Sequence, residues 1–441
     1  MQFEAAVCLG AEIQMATTSK LGIALVTVVL GCSSAAGDGS QFPGSGNGGS
    51  GAGTGSGGGG GTLNFGGNGN SGGDINPPCG QNDPGTDGDN DGYTVGDGDC
   101  NDCSVQMNPG AYDFSGNGID EDCNGTPDDE PFGCDQGLPI EGNDPMDAAK
   151  SLGLCRFAQA GATGKDKSWG VLEARYVFAD GSTSSKVPDG MFSCTGNAGQ
   201  GSPPNALSHG LLPGFGNQVK TREGSSMVAL SAGVARSGVN GDSPWGAQMC
   251  TKSGTPSGFP TPSNAACPGQ QIDDTPIAND PMALELVIRA PTNAKSIAFD
   301  FDFYTYEFPV FICSQYNDFF VSLLYSNHPS VPGNKNISFD AQKNPVSVNN
   351  GFLEVCKAQK AGGKDFACSL GQGELGGTGF EDHGATGWLQ TSSAITPGEE
   401  FTIRFAIWDM GDEVLDSTVL IDNFRFDVNE GQNQTVRPPP K

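Results

Sequence analysis

Residues 87–129 place carboxylates at every second or third position, include three cysteines and contain neither lysine nor arginine. In the first stretch, DGDNDGY, Asp87, Asp89 and Asp91 alternate along the chain and Gly92 follows them. This spacing matches positions 1, 3, 5 and 6 of an EF-hand-type calcium loop, in which alternate carboxylates converge on one ion and glycine permits the sharp bend. The segment therefore predicts a bound cation that offsets the repulsion between its charges.

The rest of the segment supplies further predicted ligands. Position 12 of the loop is Gly98, where an EF-hand has a bidentate glutamate, so a true EF-hand is not expected. A neighbouring aspartate must then close the site, and a second acidic cluster, GNGIDEDCNG, is anchored covalently by Cys123. The complete set of predicted metal ligands is Asp87, Asp89, Asp91, the backbone carbonyl of Tyr93, one or more of Asp97, Asp99 and Asp102, and Asp120 with Asp122.

The run formed by DGDNDGY, GDCND, NPGAYD and GNGIDEDCNG resembles the MopE-type metal-binding motif over residues 83–129. That family is named after a copper-binding bacterial surface protein, in which histidines and a modified tryptophan hold the copper. Residues 83–129 contain neither residue type, so the resemblance does not extend to copper. The run is also similar to the calcium-binding repeats of thrombospondins, and its oxygen donors favour Ca²⁺. The alternative interpretation is a solvated acidic tether without a defined structure.

Charge is distributed unevenly along the 441 residues. No basic residue occurs between Lys20 and Lys150, and residues 33–149 hold 20 of the 51 acidic residues, so the net charge of -29 belongs mostly to the N-terminal third. Nucleic acids and anionic lipid surfaces are bound through Lys and Arg, so this segment predicts neither as a partner. The expected partner is an extracellular ligand, a glycan or a protein, with membrane contact only through a lipid anchor.

The stretch MATTSKLGIALVTVVLGC has the features of an export signal. Lys20 gives the positive n-region, and the ten residues after it form an apolar h-region too short to span a bilayer. The fourteen residues before Met15 contain two glutamates, so Met15 is the expected start, and residues 1–32 are assigned to the signal. The end of the stretch resembles the bacterial lipobox, which implies lipidation of Cys32 and, with Ser33 next, sorting to the outer membrane or cell surface. An ordinary secretory signal is the alternative.

Cysteine usage agrees with export. After removal of Cys8 with the signal and lipidation of Cys32, an even number of cysteines remains for an oxidising compartment, so disulfide bonds are expected for all of them. Cys250 with Cys267 and Cys356 with Cys368 are candidates for short local loops, although spacing alone does not fix the connectivity. The candidates are Cys79, Cys100, Cys103, Cys123, Cys134, Cys155, Cys194, Cys250, Cys267, Cys313, Cys356 and Cys368.

Four segments follow the signal. Residues 33–76 include a tract with 19 glycines and predict a disordered Gly/Ser tether. Residues 77–135 form the small, irregular, acidic and disulfide-bonded module that carries the predicted metal ligands. Residues 140–430 form one larger domain, and residues 431–441 form a tail. The tether separates both folded segments from the predicted anchor.

The large domain opens with a helix signal and continues with strand patterns. Asp144 suits an N-cap, Pro145 the first helical position and Gly153 the end of a short helix. Strands and turn-rich connections with one helix predict a mainly β fold, an antiparallel, jelly-roll-like β-sandwich. The stretches 195–217 and 236–281 are expected to be long loops pinned by disulfides. Alternation of apolar and polar residues rich in Phe, Val, Ile and Tyr occurs at 170–182, 283–291, 296–308, 317–326, 399–409 and 416–428.

The sequence at 374–426, ELGGTGFEDHGATGWLQTSSAITPGEEFTIRFAIWDMGDEVLDSTVLIDNFRF, resembles the end of the choice-of-anchor L domain. The earlier pieces GVLEARYVFADG and FDFYTYEFP agree with it, so the resemblance spans nearly all of 140–430. It implies a β-sandwich, without assigned catalysis, on an exported bacterial protein attached to the cell surface.

Two kinds of side chain in this domain invite a catalytic interpretation. His383, beside two acids, has the chemistry of a general acid-base group, but no GxSxG or HExxH motif accompanies it, and His209 and His328 are distant in sequence. Loop or capping roles are expected for the histidines, and core positions for Trp388 and Trp408. The carboxylates that suit either a glycosidase-like pair or a structural Ca²⁺ joining strand ends are Glu307, Asp318, Asp409, Asp412, Asp416 and Asp422.

The sequence thus predicts a lipid-anchored, calcium-binding protein of the cell surface or outer membrane, with a non-catalytic sandwich that binds or adheres to something outside the cell. Two alternatives remain. One is an extracellular hydrolase that cleaves polysaccharide with carboxylates of the sandwich, and the other is a periplasmic metal scavenger.

Overall fold

The computed structural model describes residues 84–130, 132–140, 142–183, 206–235, 249, 251–260, 267, 275–349 and 352–438. All of them belong to one compact unit, Asp74–Lys441. No helix in these ranges combines the length and the apolar character needed to cross a membrane. The predicted signal, the predicted lipidation site Cys32, the predicted glycine tether and Cys79, Cys194 and Cys250 lie outside the described residues.

A single α-helix, α1 (Pro145–Ser151), precedes the strands of the described chain. Asp144 is its N-cap and accepts a hydrogen bond from Met146 N, and Pro145 occupies the first position because it lacks the N–H that a first turn leaves unpaired. Gly153, just beyond the helix end, adopts a φ of +89°, which glycine tolerates. The short helix predicted from these residues is confirmed.

Strands make up most of the regular structure. In chain order they are β1 (Gly170–Val177), β2 (His209–Leu212), β3 (Gly214–Phe215), β4 (Val219–Lys220), β5 (Met227–Ser231), β6 (Lys252–Gly254), β7 (Ile277–Arg289), β8 (Ser296–Thr305), β9 (Phe319–Tyr325), β10 (Val346–Ser347), β11 (Gln359–Ala361), β12 (Lys364–Phe366), β13 (Gly384–Ala385), β14 (Leu389–Ala394), β15 (Glu400–Asp409), β16 (Ser417–Asp427) and β17 (Gln434–Val436). Short 3₁₀ turns occur at Val95–Asp97, Gly164–Asp166, Ala206–Ser208 and Gly373–Leu375.

Two antiparallel sheets form the sandwich. The first sheet has the order β1-β7-β15-β9-β10, with β6 also pairing with β7. The second sheet has the order β17-β14-β8-β16-β5-β2, with β13 also pairing with β8. Every strand pairing within the two sheets is antiparallel, so the predicted mainly β sandwich is confirmed.

The main core lies between the sheets and is rich in phenylalanine. Phe299, Phe301 and Phe303 of β8 are fully buried on its inner face. The Phe299 ring meets Phe405 of β15 edge to face at 4.9 Å between centroids, and the Phe301 ring lies 5.0 Å from that of Phe320 of β9. Such aromatic pairs add to the burial of apolar area, so β8 anchors the second sheet on the first.

The opposite face of β8 is also buried. Asp300 and Asp302 are fully shielded from solvent, because loops and the side chains of Arg222 and Tyr304 cover them. Asp300 Oδ2 accepts from Arg222 Nε at 3.0 Å, and Asp302 Oδ2 accepts from Tyr304 Oη at 3.0 Å. The alternation of Phe and Asp therefore separates two buried environments.

Two expectations about the loops were wrong. The stretch 195–217 contains β2 and β3, and the stretch 236–281 contains β6 and the start of β7. Neither β2 nor β6 alternates polar and apolar residues, because β2 is buried on both faces and β6 is a three-residue strand. Fully buried or very short strands lack the period-2 signal.

Four disulfide bonds lie within the described residues. Cys356–Cys368 confirms one of the two candidate local loops. The other candidate, Cys250 with Cys267, is wrong, because Cys267 bonds Cys313 across a separation of 46 residues. The β-strands bring these distant residues together, which spacing alone cannot reveal. The remaining two are Cys100–Cys123 and Cys134–Cys155.

Candidate metal centre

The acidic module is built from turns in which carboxylates accept backbone N–H groups. Asp87 accepts from Asn90 N at 2.6 Å and from Gly92 N at 3.0 Å. Asp89 accepts from Asp91 N at 3.1 Å, and Asp91 accepts from Tyr93 N at 2.9 Å. Asp side chains favour such turns because they bond to their own backbone a few residues on. These bonds hold the three alternating carboxylates in fixed positions.

The same turns gather those carboxylates. Asp87, Asp89 and Asp91 each offer an oxygen that lies within 4.8 Å of the other two, as ligands around one cation do. The structure therefore brings together the three residues that the sequence placed at positions 1, 3 and 5 of a calcium loop. Gly92, with a φ of +97°, makes the bend that follows them.

Asp99 and Asp102 approach the same cluster from the next turn. They are only 4% and 1% exposed. One oxygen of Asp99 accepts from Asn101 N at 2.7 Å, and one oxygen of Asp102 accepts from Gly88 N at 2.8 Å. The second oxygen of each, like Oδ2 of Asp89, is buried without a hydrogen-bond partner in the described chain. Buried polar atoms are almost always partnered, so three unsatisfied oxygens fit a bound cation.

Burial and crowding shift the acidities in this cluster. Desolvation raises the pKa of Asp91 to about 6, and the carboxylate of Asp89 contributes to the increase. Desolvation likewise raises the pKa of Asp99 to about 6, with Asp89 and Asp102 as the nearest like charges. A cation would relieve both effects, because it supplies the opposite charge that burial withholds.

Asp97 has a different role from the one predicted. Its side chain accepts from Thr94 N and Thr94 Oγ1, while Thr94 Oγ1 accepts from Asp97 N, which is a capping box at the 3₁₀ turn Val95–Asp97. Asp99 and Asp102 remain predicted closing ligands, although neither belongs with the triad to the group whose oxygens all lie within 4.8 Å of one another. Sequence spacing did not distinguish the three residues, because all lie within one turn of the triad.

Tyr93 anchors the module through its side chain. Its ring is 1% exposed, and its hydroxyl donates to the carbonyl of Lys167. Gly110 lies against the ring, since a Cβ there would sit 2.3 Å from the Tyr93 hydroxyl oxygen. The backbone carbonyl of Tyr93 remains a predicted ligand.

A second acidic cluster lies further along the module. Oxygens of Asp113, Asp122 and Asp129 lie within 4.8 Å of one another. Asp120, predicted as a ligand there, accepts from Asn124 N and Gly125 N in a local turn and is not part of this group. Asp113 and Asp129 were missed because neither belongs to the acidic stretch GNGIDEDCNG. Asp113 is the last residue of the motif NPGAYD, and that motif was the sequence signal that could have identified it as a candidate ligand.

Arg156 compensates the charge of this second cluster. Its Nη2 lies 2.7 Å from Asp122 Oδ2, and its Nε lies 3.2 Å from Glu130 Oε1. Burial raises the pKa of Glu130 to about 7, and the guanidinium of Arg156 opposes that rise. The second cluster therefore already has a cationic partner from outside the module. The first cluster has no ion pair among the described residues.

Hydrogen bonds connect the first cluster to the sandwich. Asp91 Oδ2 accepts from Asn108 Nδ2 at 2.7 Å, and Asn108 Oδ1 accepts from Thr292 Oγ1 at 2.7 Å. Next to it, Asn293 exchanges two 2.9 Å bonds with the backbone of Tyr112. Thr292 and Asn293 lie between β7 and β8, where the chain passes from one sheet to the other. The position of Asp91 is thus coupled to that crossing.

The six sandwich carboxylates occupy three different settings. Glu307, Asp318, Asp409 and Asp416 are at most 2% exposed and lie near one end of the sandwich. Asp412 is partly exposed, and Asp422 lies elsewhere, where it accepts from the backbone of Arg222, Glu223 and Asn423. The four buried carboxylates have no access to a polymeric substrate in this arrangement, which disfavours a glycosidase-like pair.

The histidines are separate, and each has a local contact. His383 Nδ1 lies 2.9 Å from the Phe308 carbonyl, the His209 ring stacks on Tyr176 at 3.8 Å, and His328 bonds Ser330. Trp408 is fully buried in the core. Trp388 is partly buried and packs against the edge of a buried apolar cluster. Beside it lies Arg222, whose guanidinium carbon is 5.7 Å from its ring.

Family comparisons agree with both parts of the chain. Residues 269–427 match the model described as the choice-of-anchor L domain, and residues 99–129 match the model of the MopE type described as a "putative metal-binding motif". The first match begins well after residue 140, and the second begins after the Asp87 triad. Comparison with curated proteins gives no match. Two segments of the chain therefore resemble, in order, a MopE-type metal-binding motif and a choice-of-anchor L domain, and this combination indicates a metal-binding protein of the cell surface or extracellular space.

Proposed function

We propose that this chain is a lipid-anchored cell-surface protein that uses Ca²⁺ to hold its acidic module against a non-catalytic binding sandwich. The ion is held by Asp87, Asp89, Asp91, Asp99 and Asp102. The sandwich binds an extracellular glycan or protein, and the predicted anchor at Cys32 provides the only attachment to the membrane.

The observation that carries the calcium assignment is the set of unpartnered oxygens. Asp89, Asp99 and Asp102 each have a buried oxygen without a hydrogen-bond donor in the described chain, and each has its other oxygen held by a backbone N–H. Leaving such atoms unsatisfied costs about 1–3 kcal/mol each, and more when they are charged. A coordinated cation satisfies all three.

The donor set favours Ca²⁺ over transition metals. Every candidate ligand is a hard oxygen, and residues 84–130 contain no histidine. The described cysteines of the module, Cys100, Cys103, Cys123 and Cys134, are disulfide-bonded, so they offer no thiolate. A periplasmic scavenger of soft or borderline metals would require nitrogen or sulfur donors at this position.

Calcium titration of the purified full-length protein tests this assignment. Asp89→Asn with Asp99→Asn removes two charges and should lower the calcium affinity by at least about 100-fold, because affinity follows ligand charge. Asp97→Asn is the matched control, since its carboxylate caps a turn, and should bind calcium as the native protein does. Equal calcium heats in the native and doubly substituted proteins would refute the site.

The anchor is tested separately. Replacing Cys32 by Ser removes the acceptor of the lipid, so the protein should pass from the membrane fraction to the medium of the producing cells. Retention in the membrane fraction would contradict lipid anchoring at this residue. This result does not affect the calcium assignment.

A further inference from the structure

Three side chains form a row across the first sheet at one end of the sandwich. Asp409, the last residue of β15, lies opposite Asn279 of β7, just past a β-bulge at which the antiparallel register shifts. On the other side of β15, Trp408 lies opposite Phe319, so Asp318 borders Asp409. Side chains directly opposite in such pairs have Cβ atoms about 4.5–5.5 Å apart and point to the same face.

The row points into the space between the sheets. Ile407 and Phe320, two residues from Asp409 and Asp318 along their strands, belong to the core between the sheets. Ser417, which begins β16 of the second sheet, donates from Oγ to Asp318 Oδ2 at 2.6 Å. The carboxylates therefore lie where the two sheets face each other.

Several oxygens at this end of the sandwich lack donors, whereas both oxygens of Asp318 accept one, from Met410 N and from Ser417 Oγ. Asp409 is 1% exposed, and neither of its oxygens accepts from an N–H or hydroxyl group of the described chain, although its carboxyl group lies within hydrogen-bonding reach of that of Asp318. Oδ1 of Asn279 and Oε2 of Glu307 are likewise buried without a donor. No lysine, arginine or histidine of the described residues forms an ion pair with Asp318, Asp409 or Glu307.

Such a cluster cannot remain fully charged on its own. Desolvation, followed by the charge of Asp318, raises the pKa of Glu307 to about 10 and raises that of Asp409 well above its ordinary range. The chain has two ways to relieve the repulsion, namely bound protons or a bound cation. Either would supply partners for these oxygens, because a protonated carboxyl group donates its O–H, including to an amide oxygen such as Asn279 Oδ1. Counting bound ions separates the two.

We propose that Asp318, Asp409, Asn279 and Glu307 form a buried cation site that joins the two sheets. The ligands are hard oxygens from carboxylates and an amide, which suits Ca²⁺. The site is independent of the calcium site in the acidic module, because no residue is shared. The ion would link β7, β15 and β9 of the first sheet to Glu307, which follows β8 of the second.

Ion binding should also shorten the distances between the carboxylates at this end of the sandwich. In the described chain, the groups of three acidic side chains whose ligand atoms all lie within 4.8 Å of one another both belong to the acidic module. Asp318, Asp409 and Glu307 therefore do not all lie within 4.8 Å of one another, although the carboxyl groups of Asp318 and Asp409 are close enough to hydrogen-bond. A coordinated ion requires Asp318, Asp409 and Glu307 to move closer together.

Counting bound ions tests the proposal. Native mass spectrometry of the full-length protein, exchanged from calcium into volatile buffer, should show one fewer ion for Asp409→Asn than for the native protein. Asp340→Asn is the matched control, because Asp340 is 8% exposed but accepts from Gln342 N and Asn344 N, and its ion count should not change. The Asp89→Asn, Asp99→Asn protein should lose the module ion and keep this one.

Thermal unfolding gives a second readout. In EDTA, Asp409→Asn should unfold at a higher temperature than the native protein, because one buried charge is gone. In calcium it should unfold at a lower temperature, because the ion is lost. Equal ion counts together with a more stable Asp409→Asn protein in both buffers would overturn the site and indicate shared protons. If Asp409→Asn does not fold, zero ions on the Asp89→Asn, Asp99→Asn protein would equally overturn the site. An ion that this protein retains after Asp113→Asn and Asp129→Asn are added would support it.

Discussion

Arg156 Nη2 lies 2.7 Å from Asp122 Oδ2, and both side chains are largely buried. The same guanidinium contacts Glu130 and lies 5.4 Å from the ring of Trp169. The acidic module has no basic residue of its own between residues 87 and 129, so it obtains this charge from the chain that follows it. Part of the repulsion among the carboxylates of the module is therefore offset when the module docks against Arg156, without a bound ion.

Arg156→Met should destabilise the docked module strongly. Removing one partner of a buried ion pair leaves uncompensated charge and costs about 3–5 kcal/mol. Urea denaturation followed by Tyr and Trp fluorescence measures the change. Lys360→Met is the control, because Lys360 and Asp365 are about four-fifths exposed and such pairs contribute below about 1 kcal/mol. A loss for Arg156→Met no larger than for this control would contradict the buried pair.

Gly110→Ala should destabilise the protein by about 1–3 kcal/mol, because the new methyl group would overlap the buried ring of Tyr93. The comparison is Gly333→Ala, where nothing lies within 4 Å of the added carbon. The measurement is the difference in free energy of unfolding between the two variants. Similar stabilities would show that the Tyr93 ring can move aside at little cost.

Replacing Cys100 and Cys123 by Ser should lower both stability and calcium affinity. The bond closes a separation of 23 residues, and the chain-entropy model assigns about 3 kcal/mol to such a loop. Asp99 and Asp102 flank Cys100, so their positions become less restricted. Calorimetric titration checks the affinity. The Cys356→Ser, Cys368→Ser protein should lose stability but bind calcium unchanged, and an equal loss of affinity there would contradict a local effect.

Asp422 gives the sandwich a pH dependence. Desolvation raises its pKa to about 7, although the backbone N–H groups of Arg222 and Glu223 oppose the rise. A carboxyl whose pKa is raised in the folded state stabilises the fold at low pH, and that stabilisation is lost as pH rises from about 4 to about 7. Relative to Asp422→Asn, the native protein should therefore become less stable over this window. Parallel stability curves for the two proteins would contradict the shift.

Local patterns explain why much of the fold was predictable. The strands at 170–177 and 400–409 carry apolar residues at alternate positions, and that signal needs no tertiary context. By contrast, β14 reads LQTSSA, and its buried Ser and Thr are satisfied by neighbouring strands that the sequence cannot reveal. β5, MVALS, is buried on both faces and too short to distinguish from a helix segment by period.

The ligands of the candidate site likewise include some that local sequence predicts and some that depend on the tertiary fold. The Asp87 triad was predicted because its ligands are two residues apart, which is a local property. The choice of Asp99 and Asp102 over Asp97 depends on a capping bond, and the role of Arg156 depends on docking across the fold. The row of Asp409 and Asn279 depends on strand register, which sequence spacing does not encode.

The bond between Cys134 and Cys155 has a mechanical consequence. It encloses α1 within a separation of 21 residues, at the junction between the module and the sandwich. A pulling force applied on the N-terminal side would pass through the sulfur bridge rather than through the helix. At about 3.5 Å per residue, roughly 70 Å of chain is thereby shielded from extension. The module and the sandwich would then bear load as two covalently connected bodies, with little extensible chain between them.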